Sequence, residues 1–299
     1  MHKRTYEEVL ADMSQDEQVR QLRNIAVDIR EDIVRLGRDC AGGVHLGGCL
    51  SLAEILSVLY FAILRVDPRN PGWPERDRLV LSKGHGNLAL CAALARRGFF
   101  PLEELRGFNT LGSPYSMHAD MHRVPGVEAS AGSLGHGLPI SVGLALASRI
   151  NAAPWKVYCI LSDGEMMEGS SWEAMMSAAH YGLHNLTAVI DRNRFSLDGP
   201  TEQIMSLEPL RTKSRAFGWR TLEVDGHDVQ GLLEAFAPAP EGNRGPTMII
   251  ARTVKGSGVS FLEGRTESHF GQLTPQQAEQ ALAELERARA QIAGEGAAP

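Results

Sequence analysis

Residues 156–193 read KVYCILSDGEMMEGSSWEAMMSAAHYGLHNLTAVIDRN. KVYCIL (156–161) is a short apolar run with the flanks of a buried strand, and LTAVID (186–191) is a second. Between them SDGEMMEG is a turn, because Ser, Asp and Gly are residues that turns use, and SSWEAMMSAAHY (170–181) spells a helix. Strand, helix and strand in that order make a βαβ unit. Residues 219–224, a helix after Asp228 and PTMIIART (246–253) continue the alternation. The expectation is an α/β fold: a mostly parallel sheet with helices on both faces.

Working outward, residues 16–36 place Val19, Leu22, Ile25, Ile29 and Ile33 at three- and four-residue spacing, which predicts an amphipathic helix. LSLAEILSVLYFAIL (50–64) is apolar almost all round and reads as one buried helix. DRLVLS (77–82) is a short apolar run that ends in the turn Lys83-Gly84-His85-Gly86, and a helix follows to Arg97. Residues 101–108 form a short helix with Pro at its start. Residues 109–137 show little periodicity but much Gly, Ser, His and Pro; an ordered loop of that length in a compact domain is usually functional. A helix resumes over 137–150, and 275–291 is a charged helix before a frayed end, GEGAAP. These divisions suggest a main domain over 1–274 and a terminal helix and tail over 275–299, with no internal repeat.

Composition excludes several classes. Of 299 residues, 43% are hydrophobic and 22% charged, ordinary globular usage. Thirty Lys and Arg against 36 Asp and Glu leave a net charge of −6, which argues against a nucleic-acid binder that works by neutralising phosphates. The cysteines Cys40, Cys49, Cys91 and Cys159 are scattered without a CxxC pair, so neither a disulfide framework nor a structural zinc site is signalled. The polar start lacks the apolar run of a signal peptide, and no stretch approaches the ~20 apolar residues of a membrane span. A cytoplasmic protein is expected.

In open parallel sheets, ligands bind beyond the carboxyl ends of strands. Asp163 stands just past one strand and Asn193 just past the next, thirty residues on. Their oxygens can face one crevice and suit a magnesium ion that also takes phosphate oxygens and a backbone carbonyl. Gly164 would let the backbone approach a phosphate, and the helix opening near Ser170 lends its amide dipoles. The plainer reading of SDG and DRN, taken separately, is turn sequence.

The whole string SDGEMMEGSSWEAMMSAAHYGLHNLTAVIDRNRFSLDG (162–199) resembles the thiamine diphosphate signature of transketolases, with Ser162 in place of the first glycine of GDG. GHGNLAL (84–90), GVEASAGSLGHGL (126–138), GWRTLEVDGHD (218–228), TVKGSG (253–258) and ESH (267–269) match the same family in order. The resemblance runs from about Asp28 to Leu273. It implies that Asp163, Asn193 and the backbone carbonyl of Phe195 ligate a divalent cation, Mg2+ or another such as Ca2+ or Mn2+. His85 and His269 would contact the diphosphate and Gly164 would donate its amide. Gly132, Ser133 and Leu134 would line the aminopyrimidine side, with Glu165 near the cofactor. His45, in Gly43-Val44-His45-Leu46-Gly47, takes the place of the histidine of the family's SGHPG segment. His45 and His118 would face the sugar, although His122 competes with His118 for that place, and His45, His118 and His269 would move protons to and from substrate oxygens.

Other residues keep ordinary readings. His2, His180, His184 and His227 are taken as structural or solvent-facing, and His136 as a residue of the following helix's first turn. Glu168 is a solvated carboxylate at a helix start or one buried at a subunit contact. The pairs Met166-Met167 and Met175-Met176 are gap-filling core or interface residues. Lys255 is read as a solvated loop lysine.

The resemblance implies transfer of a two-carbon ketol unit from a ketose, expected to be phosphorylated, to an aldose. In the family a glutamate on a second α/β domain activates the aminopyrimidine, and this sequence ends after the first domain. The expectation is therefore one subunit of a split transketolase, inactive until a separate carboxy-terminal subunit joins it in a two-plus-two heterotetramer. The alternatives are the α subunit of a 2-oxo-acid dehydrogenase and a non-catalytic cofactor-binding half; ESH, DGHD and GSLGHG favour transketolase.

Overall fold

The structure is a computed structural model that describes residues 12–295; the polar start over 1–11 and the tail over 296–299 lie outside the described residues. Five strands form one parallel sheet: β1 (Arg78–Leu81), β2 (Val157–Ser162), β3 (Leu186–Arg192), β4 (Arg220–Asp225) and β5 (Thr247–Arg252). Their spatial order is β1-β2-β3-β5-β4. The helices are α1 (Gln15–Asp39), α2 (Leu46–Leu50), α3 (Ala53–Val58), α4 (Asn87–Arg97), α5 (Gly137–Ile150), α6 (Gly169–His180), α7 (Thr201–Ile204), α8 (Leu210–Ala216), α9 (Val229–Phe236) and α10 (Pro275–Gly294).

Side chains alternate across a strand, so a sheet covered on both faces needs apolar residues at every position. Tyr158, Ile160, Val189, Ile249 and Ala251 enter one core with α1, α3, α4 and α9. Cys159, Leu161, Ala188, Ile190, Met248 and Ile250 enter the other with α5 and α6. That alternation is why KVYCIL and LTAVID are continuously apolar, and it bears out the α/β expectation. The four cysteines are buried and unpaired.

Capping boxes open α1 (Ser14 with Glu17) and α10 (Thr274 with Gln277). α10 lies along α1, burying Ala278, Ala281 and Leu285 in the first core, while Arg289 pairs with Asp28 and Glu31.

The single helix expected over 50–64 is broken. The carbonyl of Gly48, which a continuous helix would offer to the Leu52 N–H, instead accepts the Lys83 ammonium at 2.8 Å. Leu52 N–H turns to Cys49 O, and Ser51 Oγ donates to Asp191 at 2.7 Å. Past α3 the chain closes with a wide turn over Leu59–Ile63, where Leu64 N–H reaches Leu59 O. Residues 101–108 form a tighter 3-10 turn (Leu102–Gly107) rather than an α-helix. α7 and α8 are too short for periodicity to reveal.

The connection after β3 passes β5 to reach the sheet edge, and the chain returns from β4 to β5. The reversal places the carboxyl ends of β1, β2, β3 and β5 around one crevice.

Candidate active site

Each strand end delivers part of a cleft of about 350 Å3. β1 leads to Lys83 and the tight turn Gly84–Gly86 that carries His85; β2 to Asp163 and Gly164; β3 to Asn193 and Phe195; β5 to Lys255. His45 precedes α2, His118 and Gly132 come from the long loop, and His269 from the turn Glu267–His269. Of the residues singled out from sequence, His45, His85, His118, Gly132, Leu134, Gly164, Asn193, Phe195 and His269 line this cleft. Ser133 is exposed between Gly132 and Leu134.

Four imidazoles meet at one end. The His45 ring centroid lies 5.3 Å from His85, 5.2 Å from His269 and 6.4 Å from His118. His85 and His269 are 5.6 Å apart. Burial, then the neighbouring charges of His118, Lys83 and Lys255, push His45 down to about 4. His269 is likewise held at about 4 by burial and Lys255, and burial with Lys83 holds His85 well below the usual imidazole value. These three rings are neutral at pH 7, able to accept a proton at one nitrogen and donate from the other. His118 lines the cleft, whereas His122 lies outside it with its backbone N–H on Asp120.

The oxygen donors form a second neighbourhood. Asp163 is fully buried; its Oδ1 accepts Gly164 N–H at 2.8 Å, and its Oδ2 accepts Arg192 Nη1 at 2.9 Å and Arg194 N–H at 2.5 Å. A Cβ on Gly164 would meet Ser196 at 3.4 Å and the Phe195 carbonyl oxygen at 3.8 Å, ordinary contact distances that set the turn beside the 193–196 segment. Burial and the Asp191 charge raise Asp163 to about 6 in spite of Arg192. A buried carboxylate beside an amide oxygen and a backbone carbonyl has the hard oxygen donors a divalent cation takes, although Arg192 already pairs with it. Among the described residues no cluster of three or more His, Cys, Asp or Glu side chains forms an alternative metal site.

Beneath the cleft lies an ion pair that the sequence reading missed. Neither Asp191 nor Lys83 exposes any side-chain surface, and they meet at 2.5 Å. Asp191 Oδ2 also accepts Ser51 Oγ at 2.7 Å and Asn193 Nδ2 at 3.2 Å, while Oδ1 accepts Thr253 Oγ1. Holding the amide nitrogen fixes which way the Asn193 carbonyl faces. The signal available was a carboxylate closing a buried apolar strand, which demands a partner.

Two expectations need correction. Glu165 does not reach the cleft: fully buried, it accepts hydrogen bonds from Ser82 Oγ, Gly135 N–H at 2.8 Å and Ser162 N–H at 3.1 Å. Its carboxylate stitches three cleft segments together from below. Lys255 is not solvated; it is 1% exposed, donates to Ser196 O at 3.1 Å and lies 3.3 Å from His269 Nδ1. Burial and Lys83 lower it to about 8. Its place in the matched TVKGSG segment was the signal that could have found it.

Of the residues left open, His136 occupies the position before α5 without a side-chain capping bond, and Glu168 is exposed at the start of α6. Met166 and Met175 are core, Met167 lines the cleft and Met176 is exposed.

Comparison with known proteins matches residues 14–288 to a family described as transketolase, thiamine diphosphate binding domain. A 6-deoxy-6-sulfo-D-fructose transketolase subunit, SqwG, of Clostridium sp. (strain MSTE9) is 47% identical over 243 residues, covering 81% of this chain and 88% of that protein. A subunit of the apulose-4-phosphate transketolase of Actinobacillus succinogenes is 40% identical over 265 residues, 89% of this chain and 96% of that one. Among solved structures, the transketolase of Leishmania mexicana superposes with a TM-score of 0.79 at 28% identity; the match spans 93% of this chain and 45% of that enzyme.

Proposed function

Because this chain belongs to the transketolase family, through its thiamine diphosphate-binding domain, we propose that it is the diphosphate-binding subunit of a split transketolase. The observation that carries the reading is one cleft in which Gly164, Asn193 and Phe195, with Asp163 buried behind them, face a cluster of histidines. In this reading the cofactor-binding domain spans 1–274, with the segment 275–299 appended to it.

Bound thiamine diphosphate supplies the carbanion chemistry for breaking and making the carbon–carbon bond beside a ketose carbonyl. The chain's own residues bind, orient and move protons. The Asp163 carboxylate, the Asn193 side-chain oxygen and the Phe195 carbonyl hold Mg2+ or a similar cation against the diphosphate. His85, His269 and Lys255 contact the diphosphate oxygens, joined by the Gly164 N–H once it leaves the Asp163 Oδ1 it now meets at 2.8 Å. Gly132, Ser133 and Leu134 line the aminopyrimidine. Glu165 and Asp191 hold these segments in register from beneath. His45, His118 and His269 face the sugar. Neutral imidazoles at His45 and His269 accept a proton from a substrate hydroxyl or give one to a carbonyl oxygen, a contribution of ~10²–10⁴-fold each.

A carboxy-terminal partner completes the site by covering the aminopyrimidine, and closed symmetry favours two copies of each chain. Support comes from relatives of similar length that are themselves called subunits. Their names specify a sulfo-sugar and a sugar phosphate, and we extend this to an anionic ketose as donor here. No described helix is long and apolar enough to cross a membrane, and we place the enzyme in the cytoplasm.

The test is to purify the chain together with its partner, add thiamine diphosphate and Mg2+, and assay phosphorylated, sulfonated and neutral ketoses with an aldose acceptor. Ketol transfer is expected; decarboxylation of a 2-oxo acid without it would overturn the assignment.

A further inference from the structure

His227, in the turn after β4, lies outside the cleft, yet its ring joins the cleft's loop to a buried charge pair. Its Nε2 accepts the Val254 N–H at 2.9 Å, and its Nδ1 stands 3.0 Å from Glu54 Oε2. Accepting at Nε2 requires a lone pair there, so Nδ1 carries the proton and donates it to Glu54. Glu54 is gripped on both oxygens by Arg30, at 2.5 and 2.7 Å, in a pair almost closed to water. Arg30 Nε donates in turn to the Ser257 carbonyl at 2.9 Å. One strut therefore ties down positions 254 and 257, and Lys255 projects from the span between them.

That span needs external support. Gly256 and Gly258 have φ values of +81° and +87°, in the left-handed region, where glycine is favoured but loses much chain freedom on ordering. Lys255 must also hold an ammonium almost out of water, a state that persists only if the backbone keeps it on its partners.

We infer that His227 is a positioning residue which, through Glu54 and Arg30, holds Lys255 in place at the cleft. The inference rests on the proposed contact of Lys255 with the diphosphate, and the test separates the two. Thiamine diphosphate affinity is measured by calorimetry, with Mg2+, on the complex with the carboxy-terminal partner for wild type, Lys255→Ala, His227→Ala and the double variant. Each single variant should weaken binding about tenfold, the scale of one charge-assisted hydrogen bond. The double variant should be no weaker than Lys255→Ala, because a residue acting through Lys255 adds nothing once Lys255 is gone. His227→Gln, whose amide oxygen can accept from Val254 N–H, should recover most of the affinity, and hydrogen exchange at Val254 should speed up in His227→Ala but not in His227→Gln or Lys255→Ala. His227→Phe, with the ring's bulk but no acceptor, runs the same cycle should the alanine variant fail to fold. Additive losses, or wild-type affinity in His227→Ala, would overturn the inference while leaving the Lys255 contact standing. Wild-type affinity in Lys255→Ala would remove that contact and the inference with it.

Discussion

Asp191→Asn changes one atom, and the structure gives it a large effect. The carboxylate receives four donors: Lys83, Ser51 and Asn193 on Oδ2, Thr253 on Oδ1. Burial alone would push its carboxyl up, but the Lys83 charge and the bonds from Lys83, Thr253 and Ser51 hold it below the ordinary aspartate value. An asparagine sets an NH2 group against those donors and leaves the fully buried Lys83 without a counter-ion. Breaking a buried pair on one side costs about 3–5 kcal/mol. With a urea slope of ~3 kcal/mol per M, the unfolding midpoint should fall by about 1–1.7 M. Adding Lys83→Met removes the stranded cation, so the double variant should regain stability to within about 2 kcal/mol of wild type. Urea unfolding followed by circular dichroism measures all three. An Asp191→Asn chain as stable as wild type, or a double variant weaker than either single one, would refute the account of the cleft floor.

Asp163→Ala should abolish the Mg2+-dependent part of thiamine diphosphate affinity in a chain that still unfolds cooperatively, at a lower midpoint because Arg192 and the Arg194 N–H lose a buried acceptor, as calorimetry and urea unfolding together would show. His45→Ala should lower turnover of the reconstituted enzyme by ~10²-fold or more with little change in cofactor affinity, and His85→Ala should act chiefly on affinity; loss of affinity alone in both variants would break that division. Glu54 is held at about 2 against an ordinary 4.5, because the Arg30 charge and the His227 and Arg30 hydrogen bonds outweigh its burial. A native pKa below the unfolded one means that the unfolded chain takes the proton first, so this stabilisation is whole above pH 4.5 and disappears as pH falls through 2. Glu54→Gln should thus be less stable by about 3 kcal/mol at neutral pH, with the gap closing over that acid window in denaturant titrations at stepped pH.

The sheet was readable because a strand buried on both faces must be apolar throughout, and KVYCIL and LTAVID are. The spacing of Asp163 and Asn193 was readable for a related reason: one βαβ repeat returns the chain to the same end of the sheet. Direction of a side chain was not. Glu165 follows the Asp163-Gly164 pair, yet Ser82 and Gly135, from two other segments, turn it downward. Lys255 belongs to a glycine-rich loop that composition assigns to solvent; its burial depends on Gly47, where a Cβ would sit 2.8 Å from Lys255 Cγ, and on the strut through His227. The break after α2 was hidden because Lys83, more than thirty residues downstream, takes the carbonyl the helix would have used. Spacing did not separate His118 from His122, of which only His118 lines the cleft.

The central claim is that this chain carries the diphosphate half of a shared site and needs a partner for the other half. The most direct test is ketol transfer by the highly purified chain, saturated with thiamine diphosphate and Mg2+, as the separate carboxy-terminal subunit is titrated in. The account predicts no turnover at zero partner and a rise that levels off at equal amounts of the two chains; robust turnover by this chain alone would contradict it.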